Sequence, residues 1–198
     1  LFRRAGKKAF VGGNLGEALA GSVGTALEGE CVIAEVSSFQ LETVDLFRPR
    51  VGVLLNITPD HLDRHPDLAS YRALKLRLFA RQTEEDWAVL NMDDAEVLAI
   101  GDGLRARCAY FSCERRPRRG VYLRQGSFAW CDGSKERVLC SADRVRLHGR
   151  HNLENVCAAL TVGAIWGLDE RAMEEAIGNF KGLEHRMEFV REVNGARY

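Results

Sequence analysis

Three residues with ionisable side chains lie within or directly after apolar segments of the sequence: Glu35, His61 and Lys75. Glu35 interrupts an apolar run, and carboxylates are seldom buried unless a cation pairs with them, so this position predicts either a salt bridge or a bound metal ion. Lys75 has two interpretations. Its stem is buried and its ammonium reaches solvent, or burial disfavours the ammonium and leaves a neutral amine for chemistry.

The segment before His61 predicts a strand. Residues 51–56 are almost continuously apolar, include β-branched side chains and lie between two prolines, which is typical of a strand buried on both faces of a parallel sheet. Ligands of open α/β sheets bind beyond the carboxyl ends of such strands. Asp60, His61 and Asp63 therefore follow the strand at a site-like position.

A helix carrying Lys75 is predicted next. Asp67 follows a proline and is a suitable N-cap, and Leu68, Tyr71 and Leu78 recur at helical spacing. Lys75 lies four residues after Tyr71, so it belongs to the same apolar stripe and should point inward.

The fold class predicted is α/β, with a mostly parallel central sheet flanked by helices and a small antiparallel β extension. Buried strands separated by helical segments give the alternation of a parallel sheet. The strands of this part are expected at residues 9–11, 31–36, 51–56 and 87–91, and helices at 15–20 and 95–100.

From Arg107 onwards, short strands separated by Gly, Asp and Ser turns predict the antiparallel extension. They are expected at residues 108–111, 121–123, 128–130 and 138–140, before helices at 156–166 and 170–180 and a terminal hairpin turn at 194–195. The basic run at 115–119 lacks interleaved aromatic residues, so a solvated loop is expected there.

Composition excludes several classes of partner. The 198 residues carry 28 basic and 28 acidic side chains, which argues against binding to nucleic acid or an anionic membrane. The 46% hydrophobic content is ample for a packed core. Six scattered cysteines without paired short spacings predict free thiols and a cytoplasmic location.

A zinc-protease interpretation fails on local sequence. His61 and His65 are four residues apart, but no glutamate follows His61 directly and Pro66 comes immediately after the pair.

Four segments taken together resemble the central domain of the Mur ligases, and they occur in the order found in that family: residues 35–42, 56–63, 71–75 and 149–155. The resemblance implies an ATP-dependent amide-forming ligase of peptidoglycan biosynthesis. The Ser-Ser-Phe-Gln-Leu sequence of residues 37–41 implies the activity that joins D-glutamate to UDP-N-acetylmuramoyl-L-alanine through an acyl phosphate.

The resemblance also implies roles for matching residues and two magnesium ions. Glu35 would bind the magnesium that bridges the ATP phosphates, while His61 would bind a second magnesium. Lys75 would take up carbon dioxide and bind that second ion as a carbamate. Asn14, Ser37 and Gln40 would face the UDP-sugar, and Asn152, Asn155 and Arg186 would hold the nucleotide; the spacing of the two asparagines also suits helix capping.

The chain departs from the family at its ends. No Gly-Lys-Thr or Gly-Lys-Ser phosphate loop occurs, so residues 1–184 are interpreted as a truncated central domain and 185–198 as the start of the carboxy-terminal domain. The fragment alone is expected to be inactive and the protein to be a monomer. The alternatives are another Mur ligase, a folate polyglutamate ligase, or a non-catalytic nucleotide-binding module.

Overall fold

The computed structural model describes residues 1–23, 31–59, 67–182, 191–193 and 196–197. It contains ten strands and five α-helices within those ranges. In chain order these are β1 Ala9–Gly13, β2 Cys31–Glu35, α1 Ser38–Leu41, β3 Val51–Leu54, α2 Leu68–Leu76, β4 Trp87–Asn91, α3 Ala95–Leu98, β5 Arg107–Ser112, β6 Arg119–Arg124, β7 Ser127–Asp132, β8 Lys135–Ser141, α4 Arg150–Ile165, α5 Glu170–Asn179, β9 Glu192–Val193 and β10 Ala196–Arg197.

The central feature is a six-stranded sheet in the order β3-β4-β5-β6-β7-β8. Strands β3 to β6 run parallel, whereas β6, β7 and β8 are joined antiparallel. Strands β1 and β2 form a separate parallel pair, and β9 pairs with β10 as an antiparallel hairpin. The predicted fold class, a mostly parallel sheet with an antiparallel extension, is confirmed.

Each face of the sheet has its own apolar core. On one face Phe111 and Val121 pack with Leu160 of α4 and Met173 of α5, all fully buried. On the other face Leu90 is buried with Phe79, Val97 and neighbouring apolar side chains. Burial of each large side chain contributes about 1.5–3 kcal/mol, so the helices are held against the sheet mainly by these apolar contacts.

Local side-chain signals correctly predicted two helix starts. Asp67 caps α2, its Oδ1 accepting the Ser70 amide at 2.7 Å, and Asp169 caps α5 by accepting the Ala172 amide at 2.9 Å. The hydrogen bonds from Ser70 hold the pKa of Asp67 below its ordinary value. Such caps depend on a few adjacent residues, which is why the sequence reveals them.

The structure differs from the prediction in three places. Strands β5 and β6 were expected to be antiparallel, but β5 pairs in parallel with β4, and β6 pairs in parallel with β5. The antiparallel part of the sheet therefore begins only after β6. Residues 15–18 are not helical; the Gly13 amide bonds to the Glu17 carbonyl, and a short 3-10 helix follows at Leu19–Ser22. Helix α4 begins at Arg150, six residues earlier than expected.

Two arginines of the basic run pair with acidic side chains. Arg116 lies 3.1 Å from Glu136, and Arg119 lies 2.8 Å from Asp132. These pairs join β6 and its preceding loop to β7 and β8.

All six cysteines are free. Within the described ranges, no helix is both long and apolar enough to cross a membrane.

Asp86 is a buried carboxylate that ties the start of β4 to the loop before β3. It is 2% exposed, and it accepts hydrogen bonds from Arg48 Nε at 2.7 Å and the Thr83 amide at 2.9 Å. Burial alone raises the pKa of Asp86, but these hydrogen bonds and the charges of Arg48 and Arg50 outweigh it and lower the pKa.

We expect Asp86 to make stability depend on acidity. A lowered folded-state pKa gives stabilisation that is complete above the ordinary carboxyl pKa and is lost as pH falls through the folded value. Asp86→Asn should therefore flatten the loss of unfolding free energy below about pH 4, and should cost about 1–3 kcal/mol at pH 7. Urea unfolding at several pH values measures both effects.

Glu85→Gln is the matched control, because Glu85 pairs with the same Arg48 at 3.3 Å but is largely exposed. It should change stability by less than about 0.5 kcal/mol. An acid transition in Asp86→Asn as steep as that of the unmodified protein would contradict the assignment.

Candidate functional site

The polar residues of interest follow the carboxyl ends of parallel strands. Strands β1 and β2 end together at Gly13 and Glu35, which are direct partners in the register of the pair. In the larger sheet, β3 and β4 end at Leu54 and Asn91, and β5 continues to Ser112. Helix α1, which follows β2, contacts α2, which carries Lys75. This edge is where an open α/β sheet places ligands.

Asn14 and Glu35 are brought together by the backbone. The Asn14 amide donates to the Glu35 carbonyl at 2.8 Å. Gly13 makes this approach possible, since it has φ +123° and a Cβ there would lie 2.1 Å from the same carbonyl oxygen. A residue predicted to face substrate and one predicted to bind metal are therefore neighbours.

Glu35 is exposed, which corrects the expectation of a buried strand. Val32 and Ile33 are also 49% and 39% exposed, because among the described residues no layer covers this part of β2. The argument that burial demands a cation for Glu35 is therefore wrong. Among the described residues, its carboxylate has no hydrogen-bond or ion-pair partner.

Ser37 and Gln40 contact each other in a capping box at the start of α1. The Ser37 amide donates to Gln40 Oε1 at 2.9 Å, and the Gln40 amide donates to Ser37 Oγ at 3.3 Å. This capping box satisfies backbone groups at the start of α1, which is a structural role for Gln40. It uses only the oxygen of the Gln40 side-chain amide, and both residues stay at the surface.

Lys75 lies in α2 beside the ring of buried Tyr71. Its Nζ is 4.9 Å from the ring centroid, and the residue is half-buried. A lysine side-chain end over the face of an aromatic ring makes a cation–π contact. Lys75 is half-buried beside Tyr71, and both interpretations of its amine stay predictions.

Asn152 and Asn155 lie in the first turns of α4. Neither caps the helix, because the N-cap residue is Gly149. Asn152 donates through Nδ2 to the His148 carbonyl at 2.7 Å, whereas Asn155 is exposed. The contact engages the amide nitrogen of Asn152 but not its oxygen, so both side chains keep hydrogen-bonding groups for a ligand.

Arg150, beside these asparagines, was not predicted as a functional residue. It pairs with Glu114 at 2.6 Å and Glu154 at 3.0 Å, and the hydrogen bonds that it donates to both carboxylates raise its pKa. Because Glu114 follows β5, these pairs fix the start of α4 to the edge of the sheet. The sequence signal was a charged residue at the first helical position with an acidic residue four positions later.

Two predicted site residues, His61 and Arg186, lie outside the described residues. Of the others, the structure brings together Asn14 with Glu35, and Ser37 with Gln40. It places Lys75 on α2 and the two asparagines on α4.

Magnesium prefers oxygen ligands, so the side chains of Glu35 and Lys75 differ in their suitability for binding it. Within the described ranges, no group of three His, Cys, Asp or Glu side chains could hold a metal ion. The exposed Glu35 carboxylate suits magnesium, whereas the Lys75 ammonium offers no lone pair and would suit it only as a carbamate. Glu35 could supply one oxygen ligand to magnesium, and its role as a ligand stays a prediction.

Comparison with known proteins establishes the class. The model of the Mur ligase middle domain matches residues 19–163. The chain belongs to the Mur ligase family, and this membership implies ATP and magnesium as cofactors. The resemblance of the four sequence segments is confirmed.

Curated relatives narrow the class. The chain is 43% identical over all its 198 residues to the UDP-N-acetylmuramoylalanine–D-glutamate ligase of Pelotomaculum thermopropionicum, and 38% identical over 199 aligned positions to the enzyme of that name from Thermoanaerobacter pseudethanolicus. Each alignment covers all of this chain but only 44% of the relative, so the chain spans less than half the length of these proteins.

Solved structures agree on the fold. MurF from Acinetobacter baumannii has a TM-score of 0.64 at 14% identity, with 96% of this chain and 51% of that chain covered. A pseudomurein peptide ligase type C from Methanothermus fervidus has a TM-score of 0.61 at 19% identity, with 82% and 41% covered.

Proposed function

We propose that this chain is the central part of a longer ligase that joins D-glutamate to UDP-N-acetylmuramoyl-L-alanine at the expense of ATP. Residues 1–184 would form its central domain and 185–198 would begin the next. The observation that carries the proposal is 43% identity, without loss of coverage of this chain, to a relative named for that reaction.

The reaction requires activation of a carboxylate, which is a poor electrophile. Transfer of the ATP γ-phosphoryl group to the alanyl carboxylate would give an acyl phosphate; attack by the D-glutamate amine would then release phosphate and form the amide. Bound magnesium would neutralise the crowded phosphate charge. Glu35 and His61 are the residues proposed to hold the two ions.

Lys75 is proposed to serve as a carbamate. A neutral amine attacks carbon dioxide, and loss of one proton leaves a carboxylate-like oxygen pair on the side chain. The placement of Lys75 supports this, because it lies half-buried on α2, and α2 packs against α1, the helix that follows β2 and Glu35. The modification would replace a cation by an anion suited to magnesium.

The substrate and nucleotide residues are assigned to different parts of the edge. Asn14, Ser37 and Gln40 are proposed to face the UDP-sugar; their exposed positions after β1 and β2 support this. Asn152 and Asn155 at the start of α4, together with Arg186, are proposed to hold ATP. A monomer in the cytoplasm, without nucleic-acid or membrane partners, completes the proposal.

The test is phosphate release by the full-length protein supplied with ATP, magnesium, UDP-N-acetylmuramoyl-L-alanine and one amino acid. D-Glutamate should be preferred over L-glutamate or a diamino acid by at least about a hundredfold in kcat/KM, since a site built to bind polar groups rejects misplaced ones strongly. Preference for another amino acid would indicate a different Mur ligase.

Two further arms separate the remaining alternatives. Activity only with a folate and L-glutamate would indicate a folate polyglutamate ligase. Nucleotide binding without phosphate release under any of these conditions would indicate a non-catalytic module.

A further inference from the structure

The end of strand β4 carries a polar cluster that includes none of the proposed site residues. Asn91 closes β4 and is 4% exposed, and Asp93 and Asp94 follow it before α3. These three side chains contact the segments on either side of β4, across separations of up to 37 residues. Polar groups of this kind specify backbone positions where they are satisfied.

Two of them hold the segment that follows β3. Asn91 donates through Nδ2 to the Leu55 carbonyl at 2.9 Å, and Asp94 accepts the Ile57 amide on Oδ2 at 3.0 Å. Ile57 itself is buried at 4% exposure, so its backbone is fixed by both packing and hydrogen bonding. His61 follows Ile57 by four residues in the sequence.

Each of these side chains makes a second bond close to its own position. Asn91 Oδ1 accepts the Asp93 amide at 2.9 Å, and Asp94 Oδ1 accepts the Val97 amide at 3.0 Å as the N-cap of α3. Asn91 therefore uses one donor and one acceptor, whereas Asp94 uses two acceptors. The residue types are not interchangeable, because an amide offers one oxygen and a carboxylate offers no donor.

Asp93 holds the other neighbour of β4. It accepts Ser112 Oγ at 2.6 Å and the Cys113 amide at 2.7 Å, at the end of β5. Its buried carboxylate also lies 3.8 Å from Arg150, at the start of the helix that carries Asn152 and Asn155.

We propose that Asn91 and Asp94 are positioning residues of the ligase, which fix the backbone of Leu55–Ile57, the segment that leads in the sequence to the proposed magnesium ligand His61. This role depends on the proposed function, since it concerns the same reaction. Neither side chain is assigned a contact with substrate. Their effect passes through the backbone groups of Leu55 and Ile57.

The test uses two substitutions of opposite charge change in the full-length protein. Asp94→Asn keeps one oxygen for capping α3 but turns an N–H group towards the Ile57 amide or the cap. Asn91→Asp keeps the acceptor for Asp93 and places an oxygen against the Leu55 carbonyl. Because one substitution removes a negative charge and the other adds one, a shared effect cannot come from net charge.

Both variants should lower kcat/KM for ligation by about 10–100-fold and raise the magnesium concentration for half-maximal activity, as does loss of groups that orient metal ligands. Independently of activity, hydrogen exchange of the Ile57 amide in Asp94→Asn should become about tenfold faster, as expected for a lost hydrogen bond. Asp169→Asn is the matched control: Asp169 also caps a helix, α5, but only the bond to Ala172 is involved. It should change none of these quantities.

Failure of the inference differs from failure of the proposed function. An unmodified protein that does not ligate D-glutamate would overturn the proposed function before any variant is compared. In an active protein, an unchanged rate of hydrogen exchange at the Ile57 amide in Asp94→Asn would contradict the claim that Asp94 holds this backbone group. Faster exchange with unchanged kcat/KM and magnesium dependence would show a purely structural contact and would overturn the positioning role.

Discussion

Lys75→Arg is expected to lower the rate of ligation by the full-length protein at least about a hundredfold. Loss of the proposed metal ligand should have a larger effect than loss of a residue that only orients such a ligand. Arginine keeps a cation beside the Tyr71 ring, where Lys75 Nζ lies 4.9 Å from the centroid. It is not deprotonated in proteins, so it cannot take up carbon dioxide. The substitution therefore separates the contact from the chemistry.

Two measurements check this expectation. Ligation is assayed with saturating D-glutamate, and ¹³C-labelled bicarbonate is used to detect a carbamate signal that Lys75→Arg should lack. Lys135→Arg provides the control, because Lys135 is an exposed residue of β8 remote from the sheet edge that carries the site. Undiminished activity of Lys75→Arg would remove the proposed role.

Gly120→Ala is expected to cost at least about 3 kcal/mol of unfolding free energy, because strain and a backbone clash act together. Gly120 has φ +138°, and a Cβ there would lie 1.6 Å from the Tyr110 carbonyl oxygen. Tyr110 and Gly120 are register partners where β6 joins β5. The opposing group is backbone inside a sheet, so it cannot move aside without breaking the strand pairing.

The control for Gly120→Ala is Gly133→Ala, in the turn between β7 and β8. Gly133 also has positive φ, +63°, but a Cβ there would meet nothing within 4 Å. Its substitution should cost only about 1 kcal/mol for the left-handed conformation. Urea unfolding of the two variants measures the difference, and equal losses would show that the approach of β6 to Tyr110 is unimportant.

The elements that could be predicted from the sequence depend on neighbouring residues. The apolar run of β4 and the capping residues Asp67 and Asp169 each act over a few positions, so their structural consequences follow from local physics. The turns at residues 125–126 and 132–133 are likewise local, and the structure joins β6 to β7 and β7 to β8 there.

Strand partners and solvent exposure could not be predicted in the same way. A short apolar run such as β5 fits a parallel or an antiparallel neighbour, because both present the same two faces. The apolar run of β2 would read the same whether or not another element packed against it, so its solvent exposure could not be predicted. The contacts of Asn91 and Asp94 join residues 36 and 37 positions apart, and no local pattern reveals such pairs.

For the candidate site, the sequence revealed residue types but not their present contacts. Ser37 and Gln40 are predicted to face the UDP-sugar; the structure shows them in a capping box, and the substrate role stays a prediction. The salt-bridge network of Arg150 was missed because one of its partners, Glu114, is 36 residues away.

The uncovered β2 strand has a practical consequence for purification of the chain by itself. Its backbone pairs with β1 on one side, and Val32 and Ile33 present apolar surface. Among the described residues no strand pairs with the other edge of β2, and an open strand edge of this composition favours pairing between molecules. Preparations at high concentration should therefore be made with charged substitutions at Val32 or Ile33, which interrupt self-association without touching the six-stranded sheet.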